Sequence, residues 1–242
     1  MGSTLKEEEK DVITSILAKN SYLFAWTTTN MPSINPRIIS HKFLVCKEAK
    51  LIAQKKRNMG EEKRMIVEQE VHNLLNVRFI QEIHHTTWLT NIVLVQKNNG
   101  KWQMCTDYTY LNKACLKDAY PIPSIDWLVD GVVDHKVLSF LDAYFRYNQI
   151  LLNPADQEKT SFLTERANFC YEVRPIRLKN AGETYQRLMN RMFREQIGKT
   201  VEVYVDEMIV KFNSTKQHAA DLAKIFGQLR WHDMRLNFWA SC

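Results

Sequence analysis

Residues 201–212, VEVYVDEMIVKF, place two acids, Asp206 and Glu207, between two β-branched apolar runs. A buried strand cannot carry such a pair at its centre without stripping two carboxylates of their water. The segment therefore reads as two strands, VEVYV and MIVKF, joined by a tight hairpin with Asp206 and Glu207 at its tip, where acids tolerate the turn and face water. An ordinary polar turn would look the same. What raises the functional reading is a third acid, because the short apolar run KVLSFLDAY ends in Asp142. If the two strands lie side by side, three carboxylates converge at one edge of a sheet. Charges crowded in that way repel unless something neutralises them, and a cluster of hard oxygen ligands suits Mg2+ or Mn2+. Two such ions about 3.5–4 Å apart activate an attacking oxygen and stabilise a leaving one in phosphoryl or nucleotidyl transfer.

The rest of the chain alternates between helical and strand periods. In EEKRMIVEQEVHNLLN the residues Val67, Val71, Leu74 and Leu75 recur at helical spacing, with Glu61 and Glu62 in the favourable first turn. TNIVLVQKNNGKWQMCTDY is two β-rich runs around Asn98-Asn99-Gly100, a hairpin signal that puts Lys97 and Lys101 beside the tip. Ser124 reads as the N-cap of a short helix bearing Ile125, Leu128, Val129 and Val132. SFLTERANFCYEV alternates about a polar turn at Arg166-Ala167-Asn168. In AGETYQRLMNRMFREQIGK, Tyr185, Leu188, Met189, Met192 and Phe193 form one apolar face. Arg187, Arg191 and Arg194 make a basic stripe on another face, open between a solvated surface and contact with phosphate. A last helix carries Leu222, Ile225, Phe226 and Leu229 at the same period. Strands mixed with helices, without regular βαβ alternation, point to an α+β fold.

Composition removes several function classes. The five cysteines are widely spaced and never paired as C-x-x-C, and His84-His85 are adjacent, so neither a disulfide framework nor a zinc site is indicated. No run reaches the roughly 18 apolar residues of a membrane span, and the N-terminus has no apolar signal core, so the chain reads as soluble and intracellular, cytoplasmic or nuclear. A formal charge of +6 attracts polyanions. The basic run of Lys47, Lys50, Lys55, Lys56 and Arg57 has no period and reads as a solvated linker, with a phosphate track as the alternative.

Several blocks agree in order and spacing with one family. KWQMCTDYTYLNKACLKDAYPIPSIDWLVDG, LSFLDAYFRYNQI, EKTSFLTERANFCYEV, LKNAGETYQRLMNRMF and VEVYVDEMIVK resemble the reverse transcriptase of gypsy-class LTR retrotransposons of the plant type, and the similarity runs from about Phe24 to the C-terminus. The resemblance implies a right-hand polymerase fold. It suggests an N-terminal extension or linker over residues 1–40, mainly fingers over 41–139, and an incomplete palm over 140–242. It implies RNA- and DNA-templated DNA synthesis, with a template–primer duplex and dNTP as partners and two Mg2+ or Mn2+ ions as cofactors. Asp142 matches the first palm aspartate, and the Ala143 carbonyl would help hold the nucleotide-bound metal. Asp206 and Glu207 occupy the acid positions of the family's Tyr-x-Asp-Asp box, which begins at Tyr204, so the implied metal ligands are Asp142, Ala143, Asp206 and Glu207. Tyr147 matches the aromatic gate that rejects a ribose 2′-hydroxyl, and Lys97 and Lys101 lie on the fingers hairpin over the triphosphate.

The chain departs from the family pattern at the same site. Glu207 replaces the second aspartate and displaces the carboxylate by about an ångström, a misplacement that can cost roughly 10²-fold in rate. Gln103 stands where the family reads K-W-R and exchanges a bidentate cation for a neutral amide. In VRPIRLKNAG, where the family has Met-Pro-Phe-Gly-Leu, Ile176 removes an aromatic. Arg177 puts a large side chain where glycine permits close backbone approach to the nucleotide or a positive φ. Phe145-Arg146 replaces a small Ser-Gly pair ahead of Tyr147. The sequence has no match to thumb or RNase H, so the expectation is fingers plus partial palm, truncated before the thumb. In an intact element such a domain would work in a virus-like particle, as part of a polyprotein. Three readings stay open: a polymerase fragment impaired by these changes, a non-catalytic nucleic-acid-binding module, and a functionless relic.

Overall fold

The computed structural model describes residues 6–27, 31–98, 100–133, 135, 137–144, 147–205, 207–212 and 215–237. In chain order the first elements are α1 (Glu7–Lys19), β1 (Phe24–Ala25), α2 (Glu61–Asn76), β2 (Ile80–Ile83), β3 (Ile92–Gln96) and β4 (Trp102–Thr106). Next come α3 (Thr109–Ala114), α4 (Ile125–Val132), β5 (Val137–Asp142), α5 (Pro154–Gln157), β6 (Phe162–Leu163) and β7 (Asn168–Tyr171). The last are α6 (Ala181–Met192), β8 (Val201–Tyr204), β9 (Glu207–Phe212), α7 (Thr215–Trp231) and β10 (Leu236–Asn237). The chain is α+β, and it divides into two compact units that are not contiguous in sequence. Unit 1 comprises Met1–Ile39, Ala119–Gln149 and Gly182–Cys242; unit 2 comprises Ser40–Asp118 and Ile150–Ala181. Residues 119–139, grouped with the fingers on sequence, fall in unit 1, and 150–181, grouped with the palm, fall in unit 2. Residues 7–25, taken as extension or linker, supply α1 and β1 to unit 1.

Unit 1 is built on an antiparallel sheet of order β5-β9-β8. Because cross-strand partners share a face, Leu141, Met208 and Val203 lie together with Val210 and Val201, and all five are buried. Helix α7 covers this face: His218 Nε2 lies 3.1 Å from Ser139 Oγ, and Leu222, Ile225, Phe226 and Leu229 are all buried, as their spacing predicts. On the opposite face Glu202 and Lys211 form a buried ion pair at 2.6 Å, and Lys211 Nζ also donates to the Gly131 carbonyl of α4 at 2.7 Å. A Cβ at Gly131 would stand 3.0 Å from Glu202 Oε1, so glycine lets the helix come this close. Ser124 caps α4 as read from sequence, its Oγ accepting from Trp127 N at 3.2 Å. Of the four apolar residues predicted for that helix only Leu128 is buried, while Ile125 and Val129 are exposed.

Unit 2 holds the antiparallel sheet β2-β7-β6 and the separate β3–β4 hairpin. Val67 and Val71 of α2 are buried, whereas Leu75 of the same predicted stripe is exposed. The core of the unit gathers Phe79, Ile80, Trp88, Leu111, Phe162, Phe169 and Tyr171. The β6–β7 turn sits earlier than expected. Leu163 pairs with Asn168, and Thr164 N and Oγ1 both donate to the Ala167 carbonyl, so Asn168 is a strand residue and the turn is Thr164–Ala167. The described cysteines, Cys46, Cys105, Cys115 and Cys170, are free thiols. Among the described residues no helix is long and apolar enough to cross a membrane.

Candidate active site

In unit 1 the sheet register brings two of the predicted acids together. Strands β5 and β9 pair antiparallel so that Asp142, the last residue of β5, stands opposite Glu207, the first of β9. Tyr204 pairs with Glu207 from the other side. Glu207, expected at the hairpin tip, is instead a ladder residue, because Tyr204 and Glu207 already close the pair. The connection begins instead with Val205, whose φ is 45°. That region is sterically costly for a β-branched residue. Here it is held from outside the hairpin, because the buried Gln186 of α6 accepts from Val205 N at 3.2 Å and donates to Val203 O at 3.5 Å. Asp206 lies outside the described residues, as do Phe145 and Arg146.

Ala143, next to Asp142, is buried and bridged to Leu236 of β10. Asn237 Nδ2 lies 3.3 Å from Asp142 Oδ2. The Tyr147 ring meets the buried Tyr185 ring edge-on, with centroids 6.2 Å apart. Two carboxylates directly opposed across a ladder repel each other, and a divalent cation with a taste for hard oxygen would relieve that repulsion, so the residues present fit the ion. No group of three His, Cys, Asp or Glu residues with metal-holding geometry occurs among the described residues, which exclude Asp206.

The other predicted residues belong to unit 2. The β3–β4 hairpin forms as its Asn-Gly signal predicts: Gln96 pairs with Trp102, Lys97 N donates to Lys101 O at 2.9 Å, and Gly100 takes φ 77°. Asn99 lies outside the described residues. Lys97 and Lys101 are exposed, and the half-buried Gln103 pairs with Val95. Ile176 and Arg177 are exposed on a loop that precedes α6. Arg177 has φ 69°, the conformation for which glycine would be preferred at that position. Asn112 of α3 holds the loop there, donating to Arg177 O and accepting from Lys179 N, each at 2.8 Å. Asn180, at φ 63°, accepts from Asp118 N at 3.0 Å and donates to Leu116 O at 2.8 Å. Arg174, which takes the place of the motif's methionine, is fully buried. Burial, with the Arg174 guanidinium adding to it and Asp118 opposing, pushes the His41 imidazole down to about 3.

The basic stripe of α6 is partly committed: Arg187 stacks over Tyr120 at 4.5 Å and Arg191 donates to the Ile38 carbonyl. Sequence reasoning missed Gln186, Asn112 and Asn237, since an isolated amide carries no pattern of its own.

Residues 95–238 match the profile of the family described as "Reverse transcriptase (RNA-dependent DNA polymerase)". The chain is 32% identical over 139 residues, 57% of its own length, to the retrovirus-related Pol polyprotein from transposon gypsy of Drosophila melanogaster, of which the match covers 13%. It is 34% identical over 123 residues to an RNA-directed DNA polymerase homolog of Oenothera berteroana, a match covering 50% of this chain and 87% of that protein. The match spans less than a fifth of each of four retrotransposon polyproteins. In fold it is similar to the foamy viral protease-reverse transcriptase solved in complex with an RNA/DNA hybrid, with a TM-score of 0.84, 18% identity, and coverage of 97% of this chain and 31% of that one. With the family profile matching well over half of its residues, the chain belongs to the reverse transcriptase (RNA-dependent DNA polymerase) family, of the kind carried by retrotransposon polyproteins.

Proposed function

We propose that the chain is the fingers and partial palm of an RNA-directed DNA polymerase, with unit 1 as palm and unit 2 as fingers, and that Asp142, Asp206 and Glu207 are its catalytic acids. The observation that carries this reading is the β5–β9 register, which sets Asp142 opposite Glu207 beside the hairpin connection. Asp142, Asp206, Glu207 and the Ala143 carbonyl would hold two Mg2+ or Mn2+ ions. When bound, such ions activate the attacking primer hydroxyl and stabilise the leaving oxygen of an in-line displacement. The protein's own side chains do the rest. Tyr147, backed by Tyr185, excludes a ribose 2′-hydroxyl by bulk. Lys97 and Lys101 offer point charges to the triphosphate, with Gln103 and the Ile176–Arg177 backbone as further nucleotide contacts. The formal charge of +6 and the likeness to a foamy viral protein solved with an RNA/DNA hybrid support a template–primer duplex as partner and dNTP as substrate.

Turnover is reduced. The longer arm of Glu207 moves its carboxylate by about an ångström, enough for roughly 10²-fold in rate. Gln103 gives up a charge-assisted contact, and Arg177 fills a position whose φ of 69° suits glycine. The Arg177 conformation also favours a second reading, a duplex-binding module without catalysis. Extension of a DNA primer on an RNA template, first with Mg2+ and then with Mn2+, decides between them. Wild type is expected to extend slowly, Glu207→Asp about 10²-fold faster, and Asp142→Ala not at all. Wild-type extension no greater than that of Asp142→Ala overturns the polymerase reading. In that case, duplex affinity falling steeply with salt supports the binding module, and no binding at low salt leaves a relic.

A further inference from the structure

The palm reading leaves open what aims the Asp142 carboxylate at the opposed Glu207. The end of β5 is flanked by β10: Ala143 bridges to Leu236, and Tyr144 N donates to Arg235 O at 3.0 Å. Strand β10 is held on its other edge by parallel pairing with β1, Phe24 to Leu236 and Ala25 to Asn237. Its approach is locked by Gln149, which is fully buried. The Gln149 amide accepts from Arg235 N at 2.9 Å and donates to the carbonyls of Arg235, at 3.1 Å, and Tyr144. An amide has one accepting oxygen and two donor hydrogens, and each kind of atom is used here. With β10 in this register, Asn237 stands one residue past the bridge, and its Nδ2 reaches Asp142 Oδ2 at 3.3 Å.

We infer that Asn237 is a positioning residue for Asp142, and that Gln149 keeps it in place by locking β10 to the turn after β5. The chemistry of the donor favours this role. An ionised carboxylate only accepts, so the amide nitrogen must face it. A lysine there would neutralise the charge that attracts a cation, and an aspartate would add repulsion. A neutral amide orients the carboxylate and leaves its charge for the ion, as partners of metal ligands commonly do. The inference rests on the palm reading, in which Asp142 is a metal ligand.

The test is Mn2+ binding to the purified chain, followed by the electron paramagnetic resonance of free Mn2+, in wild type, Asn237→Ala, Asp142→Asn and the double variant, with thermal unfolding of each. Asn237→Ala is expected to weaken Mn2+ binding about tenfold while the unfolding midpoint moves by less than about 2 °C. In the Asp142→Asn background the same change is expected to have no effect on Mn2+. Gln149→Leu is expected to lower both the affinity and the midpoint, since it loosens the strand itself. Wild-type affinity in Asn237→Ala, or an equal loss with and without Asp142, overturns the positioning role while leaving the metal reading in place. Equal Mn2+ binding by wild type and Asp142→Asn overturns the metal reading and the inference with it.

Discussion

The two hairpins that carry candidate site residues turn by different means. In β3–β4 the chain reverses at Gly100, with φ 77° and open space where a Cβ would stand. Glycine meets the left-handed region without steric cost, so the turn is written locally. In β8–β9 the left-handed position among the described residues is Val205, φ 45°, a residue that resists it. That turn persists because Gln186 of α6 holds the Val205 N–H and the Val203 carbonyl from outside, while a buried Lys211–Glu202 pair clamps the hairpin's own two strands. Strain of this kind concentrates where side chains must be held for chemistry. The hairpin that carries the acids is therefore the one whose geometry is determined from outside.

Breaking the buried ion pair that clamps β8 to β9 is expected to have the largest effect. Lys211→Met leaves the Glu202 carboxylate buried without its cation and should cost about 3–5 kcal/mol, whereas Lys211→Met with Glu202→Leu should recover most of it. Urea denaturation of both variants checks this; a single substitution no worse than the double one would mean that the ion pair does not support the hairpin. Next in size is an exchange between the two turns. Gly100→Val should cost about 1–2 kcal/mol through φ alone, while Val205→Gly should cost less than about 1 kcal/mol, since relief of strain offsets the added chain entropy. Equal losses at the two positions would erase the distinction between them.

The smallest effect is a pH response within unit 2. His41 of unit 2 titrates at about 3 when folded against 6.5 unfolded, so between these values the unfolded chain binds the extra proton. Its contribution is complete above pH 6.5 and is lost as pH falls toward 3. Going from pH 7.5 to 5.5 should cost unit 2 about 1 kcal/mol. His41→Leu should flatten that slope, as read by hydrogen exchange of unit 2 amides such as those of β7. An unchanged slope would assign the pH response to other groups.

Much of the fold was legible where the code is local. Asn98 to Gly100 declared a turn, Ser124 declared a helix start, and the period of Leu222, Ile225, Phe226 and Leu229 declared a buried stripe. The stripe on α4 was legible as a helix but not as a surface, because periodicity says which residues share a face and not whether anything covers it. Turn boundaries failed by a residue at Thr164–Ala167 and at Val205, since polar residues mark a reversal without saying where the ladder closes. The site was half legible. Asp142 is legible from its place at a strand end, Glu207 from its place beside a hairpin turn, and Arg177 from a motif position whose φ does prove positive. Asn237 could not be found, as nothing in LNFW points to an aspartate 95 residues earlier.

Sequence by itself determined the α+β class, the family, the strand and helix periods, and the identity of the acids that a shared edge would gather. Those follow from side-chain chemistry and spacing, which act over a few residues. Only the tertiary structure decided that Asp142 stands opposite Glu207, that Val205 bears the strain of the turn, and that three amides, Gln149, Gln186 and Asn237, hold those positions. Register between distant strands is set by which residues can be buried together. A buried amide finds its partners only after the backbone has delivered them.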